Sequence, residues 1–107
     1  MDNKQEKIRE EIKNLAAEFL SLESNRTSLL TVTNVRLSSD GKYAAILFTV
    51  FPENKEKGAL EFANRKREEF KDYIKEKSRI GRIPQFSFEV DFGEKNRQKI
   101  DDLSNTA

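Results

Sequence analysis

The stretch from Leu29 to Phe51, "LLTVTNVRLSSDGKYAAILFTVF", contains two runs of apolar and β-branched residues joined by a polar turn. Asp40-Gly41 is a strong turn signal, because Gly41 takes a positive φ angle at no steric cost. The apolar alternation of the first run shifts by one residue, and a bulge near Asn34 would place both halves on the same face. The second run is apolar on both faces, which is typical of a central strand. The stretch therefore predicts two adjacent strands within 28–52.

Apolar residues recur regularly on both sides of this stretch and predict helices and a third strand. A helix over 2–23 is indicated by spacings of three and four between Ile8, Ile12, Leu15, Phe19 and Leu22. A helical segment is predicted over 55–79, and a short helix or tail over 94–104. Between them a strand over 85–92 is indicated by the alternating residues Phe86, Phe88, Val90 and Phe92, which we expect in the core. The predicted fold class is α+β: one domain (1–107) of two layers, with a three-stranded sheet packed on helices.

The composition argues against an enzyme. The 107 residues include no Cys and no His, so disulfides are excluded, the two commonest transition-metal ligands are missing and no imidazole is available for acid–base catalysis. Ser38 and Ser39 lie in a turn with no base to activate them, and the four Gly residues form no phosphate-binding loop. We expect no catalytic residues, no cofactor, no metal site and no small-molecule ligand. No apolar run suits a membrane span or a signal peptide, so we expect a cytoplasmic protein without a membrane partner.

The charges are distributed unevenly along the chain. The whole chain has a net charge of +1, whereas residues 65–84 carry eight basic and four acidic side chains, a net of +4. A positive strip on a nearly neutral chain fits a limited set of phosphate contacts, although charge runs on helices are usually only solvated. The candidate RNA-binding residues are Arg65, Lys66, Arg67, Lys71, Lys75, Lys77, Arg79 and Arg82, with Arg36 and Lys42 as additional candidates. The apolar periodicity assigns four phenylalanines to the core, namely Phe19, Phe86, Phe88 and Phe92. Tyr43 is the one aromatic residue left open to base stacking.

Several segments resemble the bacterial ribosome-binding factor A family. The two-strand stretch is similar to a Val-Thr-Val-Thr-Asp-Val run followed by a Ser-x-Asp turn, and "RIGRIPQFSFEVD" (79–91) resembles the family's basic, Pro-initiated last strand. "IREEI" (8–12) and "KIDDL" (99–103) fall at matching places, so the likeness covers about residues 5–103. The resemblance implies a KH-like fold of type II, with the order αββααβ. It also implies binding to the rRNA of the immature small ribosomal subunit during its late maturation, with importance for growth in the cold. Separately from the resemblance, we expect a monomer.

The sequence departs from this family between the two central helices. The family has an Ala-x-Gly kink there, whereas counting back from Pro84 places Lys-Arg-Glu at 66–68. Without Gly the backbone has less reason to bend, so we expect the two helices to run as one or to kink less. The missing kink and the mixed charges of "RKREE" (65–69) leave a second hypothesis open. In that hypothesis the chain is a protein-interaction adaptor that kept the KH-like fold and lost most of its RNA binding.

Overall fold

A computed structural model describes residues 3–23 and 27–105, so residue 2 of the predicted first helix and residues 24–26 of the following break lie outside it. The elements are α1 (Asn3–Glu23), β1 (Leu29–Leu37), β2 (Tyr43–Phe51), a 3₁₀ turn (Glu53–Lys55), α2 (Glu56–Arg65), α3 (Arg67–Lys77), β3 (Gln85–Val90) and α4 (Phe92–Asn105). The sheet has the order β1-β2-β3, with β1 antiparallel and β3 parallel to β2. The predicted α+β class is confirmed, and the order αββααβ is the KH-like one, with α4 added at its end. Within the described helices, none is both long and apolar enough to cross a bilayer.

The predicted bulge in β1 is confirmed. The pairing of β1 with β2 shifts register between Val32 and Asn34, so Thr33 is the extra residue. Apolar residues on both sides of Thr33 consequently pack against the same core. At the bulge the Val35 N–H donates to the side-chain oxygen of Asn34 over 2.9 Å, so the Asn34 side chain satisfies this main-chain donor.

The core lies between the sheet and the helices and is centred on Phe70 of α3. The Phe70 ring is 5.3 Å from that of Phe19 in α1 and 4.7 Å from that of Phe86 in β3. The small side chains of Ala59 and Ala63 form the buried face of α2. The buried apolar residues are Ile12, Ala16, Phe19, Leu20, Val35, Ala44, Ile46, Phe48, Ala59, Ala63, Phe70, Ile74, Phe86, Phe88 and Val90.

Leu22, a predicted member of the apolar stripe of α1, does not lie in the core. Its side chain is 70% exposed, whereas Leu20 is buried. Two residues correspond to about 200° of rotation around a helix, so Leu20 and Leu22 point in nearly opposite directions. The stripe of α1 therefore continues through Phe19 and Leu20.

The prediction that Phe92 belongs to the last strand and the core is wrong. β3 ends at Val90, and Phe92 is the first residue of α4, where it is 62% exposed. Asp91 ends the strand because its Oδ1 accepts the Glu94 N–H over 3.0 Å, which is the bond of a helix N-cap. The other carboxylate oxygen accepts the hydroxyl of Thr33, so the bulge in β1 anchors the start of α4.

The helical segment predicted over 55–79 consists of two helices, α2 and α3, so of the two alternatives the one in which they run as a single helix does not hold. The break is at Lys66, with φ −94° and ψ 8°. The Lys66 N–H donates to Ala63 O, and Arg67 Nε donates to Asn64 O, each over 3.0 Å. The Asn64 side chain accepts the Phe88 N–H and donates to the Phe88 carbonyl, each over 3.1 Å. Hydrogen bonds to specific side chains thus hold a break at a place where the sequence has no Gly.

Candidate nucleic-acid interface

The three predicted basic residues at the α2–α3 break lie in different surroundings. Arg65 is exposed at the end of α2 and lines a cavity on that helix. Lys66 is half-buried, with Nζ 3.5 Å from Glu69 Oε2 and 5.8 Å from the centre of the Phe62 ring. Arg67 is exposed and lines a groove beside β3. Since Lys66 already has these two partners, Arg65 and Arg67 are the residues of this group that present their charge to solvent.

A shallow groove runs between the start of α3 and the edge strand β3. It has a volume of about 230 Å³, and its basic lining residues are Arg67 and Lys71, one turn apart on α3. The surface continues around the edge of β3 as a second depression of about 430 Å³, which Arg67 shares with Arg36 and Tyr43. Arg36 Nη2 is 2.9 Å from Glu89 Oε1, an exposed ion pair that neutralises part of this charge. The fold thus brings Arg36 into the same region as Arg67 and Lys71.

A second basic group lies at the end of the sheet where β2 and β3 begin. The Gln85 N–H donates to Lys42 O over 2.8 Å, which joins the β1–β2 turn to the start of β3. The turn has the predicted positive φ at Gly41, 72°. The pKa of Asp40 lies below its ordinary value, first because its carboxylate accepts the Ser38 hydroxyl and then because it accepts the Lys42 N–H. The charge of Arg82 contributes to this shift. Lys42 and Arg82 therefore both lie on the Asp40 side of this end of the sheet.

Lys75, Lys77 and Arg79 are exposed at the end of α3 and just beyond it. Lys75 and Lys77 lie in the last turn, where positive charges interact favourably with the helix dipole. Lys77 Nζ is 5.8 Å from the centre of the Tyr73 ring. None of these three residues lines the groove beside β3.

Tyr73 links α3 to the first helix. Its hydroxyl donates to Glu18 Oε1 of α1, and this bond to a carboxylate raises the pKa of Tyr73 to about 12. The exposed aromatic residue of the interface is instead Tyr43, which is 58% exposed. Tyr43, the aromatic residue for which the sequence leaves base stacking open, is thus accessible beside Arg36.

Lys95 is a basic residue with a structural role. Its Nζ lies 2.9 Å from Glu56 Oε2 and 3.0 Å from Glu53 Oε1, and these hydrogen bonds, Glu56 first, raise the pKa of Lys95. The pairs tie α4 to the start of α2, and the single charge of Lys95 offsets one of the two negative charges. Over the described residues, no group of three or more His, Cys, Asp or Glu side chains is arranged to hold a metal ion.

Sequence reasoning missed Lys55 and Asn64. Lys55 faces the same cavity as Arg65, although ten residues separate them. The basic residues of "PENKEKG" (52–58) were a visible signal, but their neighbours in space were not. The contact of Asn64 with β3 gives no signal in the sequence, because the partner is main chain 24 residues away.

Comparisons with known proteins agree on one family. The family model described as ribosome-binding factor A matches residues 4–104. The crystal structure of ribosome-binding factor A from Thermus thermophilus is similar with a TM-score of 0.70 and 28% identity, over 78% of this chain and 90% of that chain. A homology model of the Thermus thermophilus factor, fitted into a cryo-EM map of its complex with the 30S subunit, has a TM-score of 0.64 and 33% identity, over 76% of this chain and 88% of that chain. A comparison with curated protein sequences gives no match.

Proposed function

Because the chain belongs to the ribosome-binding factor A family, we propose that it docks on the rRNA of the small ribosomal subunit during late maturation of that subunit. The related Thermus thermophilus factor, fitted into a map of its 30S complex, supports the choice of partner. In this proposal the chain acts as a cytoplasmic monomer and as a binding factor without a reaction of its own. The observation that carries the proposal is the clustering of exposed cations around the edge and the end of β3.

The basic groups are suited to phosphates rather than to bases. Arg67 and Lys71 flank the groove beside β3, and Lys42 and Arg82 extend the positive region along the sheet end. Lys and Arg side chains reach phosphate oxygens without reading sequence, so they position the protein on folded rRNA. Specificity then comes from the shape of the immature subunit. The net charge of +1 fits a small number of phosphate contacts rather than wrapping of the RNA.

The adaptor hypothesis loses one of its two arguments. It depended partly on the absence of the central kink, and the structure has a break at Lys66. The mixed charges of residues 65–69 remain, but Lys66 and Glu69 pair with each other. The exposed Arg65 and Arg67 keep this end of α2 available to an anionic partner.

A matched pair of charge reversals tests the proposal. The test variant carries Lys42→Glu and Arg82→Glu, and the control carries Lys4→Glu and Lys7→Glu on the exposed surface of α1, so both variants change the net charge by the same amount. Cosedimentation with immature small subunits is measured between about 50 and 200 mM salt. With about four phosphate contacts, log affinity falls against log salt with a slope of about −2.8 to −3.6, and we expect the test variant to lose about 1.4 to 1.8 units of this slope.

The control variant is expected to keep most of the binding and the original slope. Association that does not depend on salt, or an equal loss in both variants, would contradict phosphate docking at the end of the sheet. Full binding by the folded test variant would favour the adaptor hypothesis. Circular dichroism of each variant establishes that it is folded.

A further inference from the structure

A cavity of about 260 Å³ lies between the start of β1, the 3₁₀ turn and α2. Its apolar wall consists of Leu30 on β1 with Ala59 and Phe62 on α2, and Leu30 and Phe62 are only half-buried. The lining residues of α2 recur at helical spacing, so one face of this helix forms the wall. Pockets for drug-sized ligands measure about 300–1,000 Å³, so this volume suits a ligand of about the size of one nucleotide.

The charged residues that line the cavity are both cations. Lys55 and Arg65 are exposed, and neither forms an ion pair with another described residue. The acidic residues closest in sequence to Lys55, Glu53 and Glu56, are paired with Lys95. The first turn of α2 also borders the cavity, and the positive end of its dipole favours an anion there. The cavity therefore combines an apolar wall with positive groups at its rim.

We propose that this cavity holds one unstacked nucleotide of the bound RNA. The base lies against Leu30, Ala59 and Phe62, and the phosphate lies at the Lys55 end of the cavity, beside the first turn of α2, while Arg65 supplies positive charge at the other end. Recognition of single-stranded RNA commonly places splayed-out bases against aromatic side chains, and a nucleotide has the required apolar face and negative charge. The inference rests on the proposed function, because the nucleotide belongs to the rRNA on which the chain docks. It adds to that function a contact with a base, beside the contacts with phosphates.

Gly58 gives a means of closing the cavity without touching its charges. It lines the cavity on α2, and a Cβ placed on it meets no atom within 4 Å. Gly58→Leu therefore fills the space, whereas Gly58→Ala fills little of it and serves as the control. Both replacements favour the helix over Gly by up to about 1 kcal/mol, so neither is expected to unfold the protein.

The test is a titration of the isotope-labelled full chain with each of the four nucleoside 5′-monophosphates, in which binding is measured from the amide chemical shifts in NMR spectra. We expect at least one nucleotide to shift the amides of Gly58, Phe62 and Leu30 at millimolar concentration. Inorganic phosphate alone is expected to shift the amides near Lys55 and Arg65 with weaker binding. Gly58→Leu should weaken nucleotide binding by roughly 5-fold to 150-fold, the loss found when a base loses its aromatic contact, and Gly58→Ala should keep it.

Three results would overturn the inference: no shift of the lining amides with any nucleotide, equal binding by phosphate and nucleotides, or unchanged binding by folded Gly58→Leu. Cosedimentation separates this failure from failure of the proposed function. If wild type binds the small subunit in a salt-dependent manner while the nucleotides leave the cavity unaffected, only the inference fails. If wild type does not bind the subunit, the proposed function fails, and the inference fails with it.

Discussion

Replacing Asn64 by alanine tests whether a side chain holds the break between the two central helices. The side-chain amide of Asn64 bonds both the N–H and the carbonyl of Phe88, each over 3.1 Å, and also donates to Leu60 O over 3.1 Å. The bonds to Phe88 fix the end of α2 against the middle of β3. Arg67 depends on the same residue, because its Nε donates to the Asn64 carbonyl. Loss of the side chain therefore frees two main-chain groups of an edge strand.

The magnitude follows from the two bonds to Phe88. A hydrogen bond contributes about 0.5–1.5 kcal/mol net to stability, so the pair contributes about 1–3 kcal/mol. Alanine favours a helix over asparagine by up to about 0.7 kcal/mol, which leaves an expected loss of about 1–2 kcal/mol for Asn64→Ala. Asn64→Asp should cost more at neutral pH, because its carboxylate accepts the Phe88 N–H but places a negative charge against the Phe88 carbonyl. Protonation of that carboxylate at low pH restores a donor and should narrow the difference from wild type.

Urea unfolding gives the comparison, with the free energy taken from the midpoint and the slope. Asn14→Ala serves as the matched control, because Asn14 is an exposed helical asparagine of α1 for which we expect no loss of stability. Hydrogen exchange of the Phe88 amide should become faster in Asn64→Ala and stay unchanged in the control. The reasoning is refuted if Asn64→Ala is as stable as wild type and Asn64→Asp is as stable as Asn64→Ala at pH 7.

Two further predictions follow from groups with shifted pKa values. The Thr33 hydroxyl and then the Glu94 N–H donate to the Asp91 carboxylate and lower the pKa of Asp91. Asp91 therefore stabilises the fold at pH values above its unfolded pKa of about 3.9. This contribution disappears as the pH falls through the lower pKa of the folded state. Asp91→Ala should therefore cost about 0.5–2 kcal/mol at pH 7 and less at pH 3, measured by urea unfolding, and an equal cost at both pH values would contradict the N-cap role. For Tyr73, the bond to Glu18 raises the pKa to about 12, so this contact stabilises the fold below about pH 10 and is lost as the pH rises. Glu18→Gln should lower the pKa of Tyr73 toward 10, measured by ultraviolet titration of the folded protein, and an unchanged titration would show that the carboxylate is not its cause.

The sheet could be predicted from the sequence because its determinants are local. Asp40-Gly41 fixes the turn, and the shifted alternation around Asn34 indicates the bulge directly. The end of β3 was misplaced because the alternation of apolar residues continues to Phe92. The N-cap bond of Asp91 ends the strand sooner than this pattern predicts.

The helix break and the cavity depend on contacts between residues far apart in the sequence. The sequence left open whether the helices run as one or kink less because no Gly lies at 66–68, while the bonds at the break join Asn64 to Phe88. The cavity combines β1, the 3₁₀ turn and α2, so the charge pattern alone did not bring Lys55 and Arg65 together. The sequence identified the basic strip itself, but only the fold divides it among the groove beside β3, the end of the sheet, the end of α3 and the cavity.

The asparagine side chains that bond to the two outer strands, Asn34 and Asn64, also bear on how molecules of this protein meet at high concentration. A three-stranded open sheet has two edges, and main-chain groups left free on an edge invite a strand from another molecule. On β3 the Asn64 side chain occupies the N–H and the carbonyl of Phe88, and on β1 the Asn34 side chain occupies the Val35 N–H beside the bulge. An incoming strand would meet an occupied position at the middle of either edge. The same contacts that shape the fold thus oppose edge-to-edge aggregation.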